Sequence, residues 1–230
     1  MKEVVRPSLW SDFDGTAVKV LSKADPRNWA KYPIPKIDGY FNFLYGVRSM
    51  GVDVAGIVSR RPDILPRRIV TARSIAKLGL REFFKSPEQI VLTGSEAKKG
   101  AFVAEKSKAT TVGLIDDKPH RVGPEILNKL LEEEPDERQP LSEQARRVAL
   151  GVVSHPKSTE YTERFIDGVR EQTDETGIKV VERSNDHVFF LHGPNYGFEL
   201  SVVQLEPYSM YAGDVFATHL QDFGTVLPKN

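Results

Sequence analysis

The sequence predicts an α/β protein: a parallel sheet of five strands with helices on both faces, a Rossmann-like architecture, followed by a C-terminal α+β extension. Three observations carry this reading. Five short runs of β-branched and aliphatic residues recur through the first two-thirds of the chain, too short for helices and too continuously apolar for half-exposed strands. Stretches with helical spacing separate them, as strand–helix–strand crossovers require. Asp12, Ser59 and Asp116 stand at or just past the C-terminal ends of three of the runs, where sheets of this kind place their ligands.

The first run, residues 8–13, carries Asp12 near its end. The others are 52–58, ending at Ser59, then 89–93, 111–115, ending at Asp116, and 148–153. Helices are expected at 38–50, 65–80, 99–108 and 124–134. Pro124 suits a first helical turn, where a missing N–H is harmless, and Gly51 and Gly79 sit where helices stop. The last third reads as a helix at 159–176 and a strand at 178–182. Two runs follow at 187–191 and 198–203, joined by the turn-forming Gly193-Pro194-Asn195-Tyr196-Gly197 as in a hairpin. The expected division is a catalytic core over 1–155 and an extension over 156–230. That extension extends the sheet, covers an edge or forms an interface, including one between copies of the chain.

The 230 residues suffice for one large domain or a core with an addition. There is no cysteine, which excludes disulfides, thiolate metal sites and cysteine nucleophiles. No apolar run approaches the ~20 residues of a membrane span. Glu3 and Pro7 interrupt the start where a secretion signal needs an apolar stretch. A soluble, cytoplasmic protein that binds no membrane is expected. Thirty-two basic and 32 acidic residues cancel, so net charge gives no argument for nucleic-acid binding. Residues 59–108 nonetheless hold twelve Lys/Arg against five Asp/Glu, a solvated helix face or the mouth of a site for anions.

Asp12-Phe13-Asp14-Gly15-Thr16 carries the most chemistry. Two carboxylates two residues apart at a strand end can face one pocket if the chain turns at once, and Gly15 permits that turn. One can attack while the other moves a proton, or both can hold a cation. A calcium loop of the helix–loop–helix type fails, because the later ligands are missing. Ser59 at the second strand end can bind a phosphoryl oxygen, with neighbouring Arg60 beside it. Lys99 can neutralise phosphate and nucleophile together. Asp116 and Asp117, with Asp12, offer the hard oxygens that Mg2+ prefers. The five histidines show no zinc spacing, and no glycine-rich phosphate loop is present.

In chain order, Asp12-Phe13-Asp14-Gly15-Thr16, Ile57-Val58-Ser59, Lys99-Gly100 and Ile115-Asp116-Asp117 resemble the four motifs of the haloacid dehalogenase superfamily of phosphohydrolases. The resemblance spans roughly residues 9–153. It implies that Asp12 is a nucleophile forming an aspartyl phosphate, and that Asp14 is general acid, then general base, with its backbone carbonyl on the metal. It implies further that Thr16 and Ser59 position that acid or the phosphate, Lys99 stabilises charge, and Asp116 and Asp117 hold Mg2+ with Asp12. Lys98 is one residue from the lysine position. Dehalogenase members of the superfamily lack the second aspartate, so Asp14 favours phosphoryl transfer. Neither the gap after Thr16 nor that between Ser59 and Asp116 holds a full cap domain, which implies the capless type with an open site.

The expected function is therefore a Mg2+-dependent phosphomonoester hydrolase acting on a phosphorylated small molecule or nucleotide. A phosphatase for nucleotides or nucleic-acid ends is the alternative enzyme, motivated by the basic segment and the missing cap. A catalytically silent scaffold of the same fold is the alternative outside enzymes. A phosphorylatable receiver domain uses similar residues in a different order along the chain, which disfavours it.

Overall fold

The strand runs are apolar on consecutive residues because alternate side chains enter two different cores. The protein is described by a computed structural model over residues 6–20, 39–132, 146–153, 157–176, 178–182, 188–193 and 196–205. The strands are β1 (Ser8–Ser11), β2 (Asp53–Ser59), β3 (Ile90–Leu92), β4 (Val112–Asp116), β5 (Arg146–Val153), β6 (Lys179–Glu182), β7 (Val188–Gly193) and β8 (Phe198–Leu205). The helices are α1 (Tyr40–Ser49), α2 (Leu65–Lys77), α3 (Glu96–Lys106), α4 (Pro119–Leu131) and α5 (Ser158–Thr176). Leu9, Ile57 and Ile115 pack with Tyr40, Phe43 and Leu44 of α1 in one core. Their neighbours Trp10, Val58 and Leu114 pack with Val103 of α3, Ile126 of α4 and Phe165 of α5 in the other. A period of two along each strand thus makes a three-layer protein.

Among the described residues, the strands join one sheet in the order β3-β2-β1-β4-β5-β8-β7-β6. β1 pairs in parallel with β2 on one side and β4 on the other. The chain moves outward from β1 in both directions, so the crevice of the sheet opens between the C-terminal ends of β1 and β4.

The sheet has eight strands, not the five expected. β8 lies parallel to β5 along its whole length, from Arg146 opposite Phe198 to Val153 opposite Leu205. β7 and β6 then add antiparallel strands, which leaves a mostly parallel sheet. The 187–203 segment reads locally as a free-standing hairpin, and only the pairing with β5 makes it part of the sheet. β5 is consequently an interior strand rather than an edge.

Two helix starts also differ from expectation. α3 begins at Glu96 rather than at Lys99, because the Ser95 hydroxyl caps it by accepting the Lys98 N–H at 3.2 Å. α4 begins at Pro119, which takes the tolerated first-turn position, and Pro124 lies inside the helix. Gly51 and Gly79 have positive φ after α1 and α2, as their positions suggest. Among the described residues no helix is long and apolar enough to cross a membrane. Of the expected elements, residue 38, residues 133–134, residue 187 and the connector residues 194–195 fall outside the described residues.

Gly56 marks a tight strand contact. It sits opposite Trp10 where the β1–β2 register shifts. A Cβ there would lie 2.6 Å from the Trp10 ring and against the Gln89 carbonyl oxygen. Backbone cannot yield as a side-chain tip would, so Gly56→Ala is expected to destabilise the fold by about 1–3 kcal/mol. Urea unfolding checks this, and a loss below about 0.5 kcal/mol would contradict the packing described.

Candidate active site

Asp12 follows β1, and its N–H still bonds the Ile115 carbonyl at 2.8 Å, which ties it to the end of β4. Its own carbonyl accepts from the Ser11 hydroxyl at 2.8 Å, and that hydroxyl accepts from buried Tyr40 of α1 at 2.8 Å. The chain then turns sharply: Gly15 donates to the Val18 carbonyl at 2.7 Å, and Ala17 and Val18 both donate to the Phe13 carbonyl. Gly15 is required here twice over. Its φ is +92°, and a Cβ would stand 2.6 Å from the carboxyl carbon of Asp117.

Lys99 reaches into this crevice from the second turn of α3 and is only 2% exposed. Its ammonium lies 2.8 Å from Asp12 Oδ1 and bonds Asp116 Oδ2. Lys98 points outward and is exposed. The helix starts three residues earlier than expected, and Lys99 is the lysine on its inward side. Asp116 Oδ1 accepts the Lys118 N–H at 2.8 Å, and the Lys118 ammonium stands 3.3 Å from Asp117. Asp12 Oδ2 takes no hydrogen bond among the described residues.

Asp12, Asp116 and Asp117 each place a carboxylate oxygen within 4.8 Å of the other two. Asp12 and Asp116 share the buried Lys99 ammonium, while Asp117 pairs with the less buried Lys118. Burial, reinforced by Asp116 and Asp117, pushes the Asp12 carboxyl up to about 8 against the pull of Lys99. Burial and then Asp116 raise Asp117 as well. Burial alone would lower Lys99, but Asp116 and Asp12 outweigh it and hold the ammonium above its ordinary value. A divalent cation fits this donor set. It is hard, the ligands are all oxygen, and the excess negative charge is confined where water screens it poorly.

The remaining expected residues divide. Asp14, Ser59 and Arg60 line the same cleft, about 430 Å³, as Asp12, Lys99, Asp116 and Asp117. Ser59 is buried at the end of β2. Arg60 lies at the rim, with its Nε 3.5 Å from Glu96. Thr16 is fully buried and does not line the cleft. Of its two expected roles, placing the acid or the phosphate, direct contact with phosphate finds no support in this geometry, because the turn at Gly15 carries Thr16 inward. Asp14 takes part through its carboxylate, which forms a two-point ion pair with Arg61 at 2.6 and 2.7 Å.

Arg61 is the principal residue that sequence reasoning missed. A signal existed: Arg61 lies two residues past Ser59, in the basic stretch that follows the second strand end. Lys118, another cleft residue, has no signal of its own in the sequence beyond following the acidic pair. No protein-family model, curated protein or solved structure matches the chain.

The raised Asp12 carboxyl has a signed consequence. The unfolded chain releases that proton near 3.8, and the folded protein keeps it until about 8. Metal-free stability conferred by Asp12 is therefore full at low pH and lost as pH rises through this window. In chelator, urea unfolding at about pH 5 and about pH 8 should show the parent losing at least ~1 kcal/mol more than Asp12→Asn. Equal losses would contradict the electrostatic account.

Proposed function

We propose that the protein is a Mg2+-dependent phosphomonoester hydrolase that works through an aspartyl phosphate on Asp12. The observation that supports this most is the position of Asp12 at the β1–β4 crevice. Lys99 takes one of its carboxylate oxygens, two further carboxylates stand beside it, and Asp14 opens into the same cleft. The order and spacing of these residues, which resemble the haloacid dehalogenase superfamily, support the same reading.

In this mechanism Asp12 Oδ2 attacks phosphorus, the bond from phosphorus to the ester oxygen breaks, and Asp14 delivers a proton to that leaving oxygen. Water then attacks the phosphoryl group on Asp12 while Asp14 takes up its proton. The bond from phosphorus to the aspartyl oxygen breaks, and phosphate and the free carboxylate are regenerated. Lys99 holds the Asp12 carboxylate by its other oxygen and limits the charge felt by the entering dianion. Asp12, Asp116 and Asp117 would hold the Mg2+, with the Asp14 carbonyl as the resemblance implies. The cation would supply the positive charge that three carboxylates otherwise deny an anionic substrate.

A second reading, hydrolysis at a nucleotide or nucleic-acid end, has support in the cations around the cleft, where Arg60, Arg61, Arg67 and Lys118 all contribute to the lining. The segment from Ser59 to Asp116 holds α2, β3, α3 and two single 3-10 turns, with no room taken by a cap domain. A long substrate could approach from that side.

Turnover of a generic aryl phosphate with Mg2+ separates the enzyme from a silent scaffold, and phosphorylated oligonucleotides compared with small phosphate esters separate the two substrate readings. Asp12→Asn is expected to lower kcat by more than about a thousandfold, or about 4 kcal/mol. Chelation should abolish turnover and added Mg2+ restore it. Full activity in Asp12→Asn would refute covalent catalysis at this residue.

Lys99→Ala should lower kcat more than about tenfold, about 1.4 kcal/mol, while Lys98→Ala should change it less than about threefold. The reverse ranking would move the role to the exposed lysine.

A further inference from the structure

Arg61 uses every nitrogen of its guanidinium. Nε and Nη2 donate to the two oxygens of Asp14 at 2.7 and 2.6 Å, and Nη1 donates to Thr71 Oγ1 at 2.9 Å. Thr71 is fully buried on α2 and is itself fixed, because its hydroxyl donates to the Arg67 carbonyl at 2.9 Å. The guanidinium carbon also stands 4.7 Å from the centre of the Phe13 ring. Thr71 and Phe13 would hold the guanidinium in place whether or not Asp14 is paired with it. The two partners differ in exposure: the Arg61 side chain is 10% exposed and that of Asp14 35%. The carboxylate is the freer half of the pair.

Two chemical facts give the pair a consequence. The Nε–Nη2 fork that grips Asp14 is the same fork that grips a phosphoryl group through two oxygens, and Arg61 lines the cleft beside Asp12. A guanidinium offers donors only, so a carboxyl oxygen that carries a proton cannot point that proton at it. While both Asp14 oxygens rest on the fork, the carboxylate faces Arg61 rather than a leaving oxygen.

We propose that Arg61 is a phosphate-operated latch: the phosphoryl group and the Asp14 carboxylate compete for its fork, and the group that enters the cleft displaces Asp14 into its working position. This inference rests on the phosphatase reading and adds to it a positioning residue and an order of events. Arg61 acts on the reaction in two ways, by binding the phosphoryl oxygens and by releasing Asp14 only when they are present.

The test uses inorganic phosphate as probe and calorimetric titration of the full chain in Mg2+ buffer, with no turnover required. The parent, Asp14→Ala, Arg61→Ala and the double variant form a thermodynamic cycle. Removing the competitor should tighten phosphate binding by more than about threefold in the parent background, as relief of a self-occupied state does. Arg61→Ala should weaken it by more than about tenfold. In the Arg61→Ala background, Asp14→Ala should have a clearly smaller effect, because the fork it competed for is gone.

Simple repulsion between Asp14 and phosphate predicts the opposite, an equal or larger effect once Arg61 no longer neutralises the carboxylate. That result, or no tightening by Asp14→Ala, overturns the latch and leaves the phosphatase reading standing. Failure of every variant and the parent to bind phosphate contradicts both. Arg61→Gln replaces Arg61→Ala if the latter does not fold, since glutamine keeps the bulk but not the fork. If neither folds, Asp14→Ala still decides, with tightening supporting the latch and its absence overturning it.

Discussion

One ammonium, Lys99, is buried among carboxylates at the switch point of a parallel sheet, and much of the local structure serves to keep it there. Asp12 and Asp116 meet because β1 and β4 are neighbours, and the ladder continues through the Asp12 N–H. Lys99 reaches them because α3 lies close against α4. A Cβ on Gly100 would come 2.6 Å from the Glu125 side chain, so the next residue after the lysine must be bare for the two helices to approach. Gly15 plays the same part for Asp117. Burying such charges is costly unless they are paired and hydrogen-bonded, and the pairing is incomplete: Asp12 and Asp116 share Lys99, and Asp117 has only the less buried Lys118 beside it. The residue of negative charge is what suits the crevice to a cation.

The fold was legible where local pattern and global arrangement agree. Runs such as Val54 to Val58 are apolar on consecutive positions because Ile57 and Val58 enter opposite cores, and that continuity is readable without a structure. The pairing of β8 with β5 was not readable. Phe198 to Val203 has the composition of a strand whatever lies beside it, and the partner is about 50 residues away. The start of α4 was misplaced because Pro119 and Pro124 are both acceptable first-turn residues, and tertiary contacts choose between them. The start of α3 was missed although Ser95 is a good cap.

For the site, legibility followed a similar line. Strand-end carboxylates announce themselves, and the inward side of α3 could be inferred from Phe102 and Val103. Thr16 lies inward of the cleft lining because a single glycine turn decides which way the next residue points. Arg61 escaped notice because its significance is relational. Alone it is one arginine in a basic segment, and only the fork on Asp14, the Thr71 bond and the Phe13 ring distinguish it from Arg60 at the rim. Motifs name the groups that react more readily than the groups that hold them.

Whether Asp12 carries the phosphoryl group is decided most directly by mass spectrometry of protein acid-quenched during turnover of an aryl phosphate with Mg2+. Acid preserves an acyl phosphate that neutral water would hydrolyse. The account predicts that the intact mass rises by one phosphoryl group, that the added mass maps to the peptide containing Asp12, and that it is absent from Asp12→Asn. Product release with no adduct at any quench time, or an adduct on another residue, would contradict it.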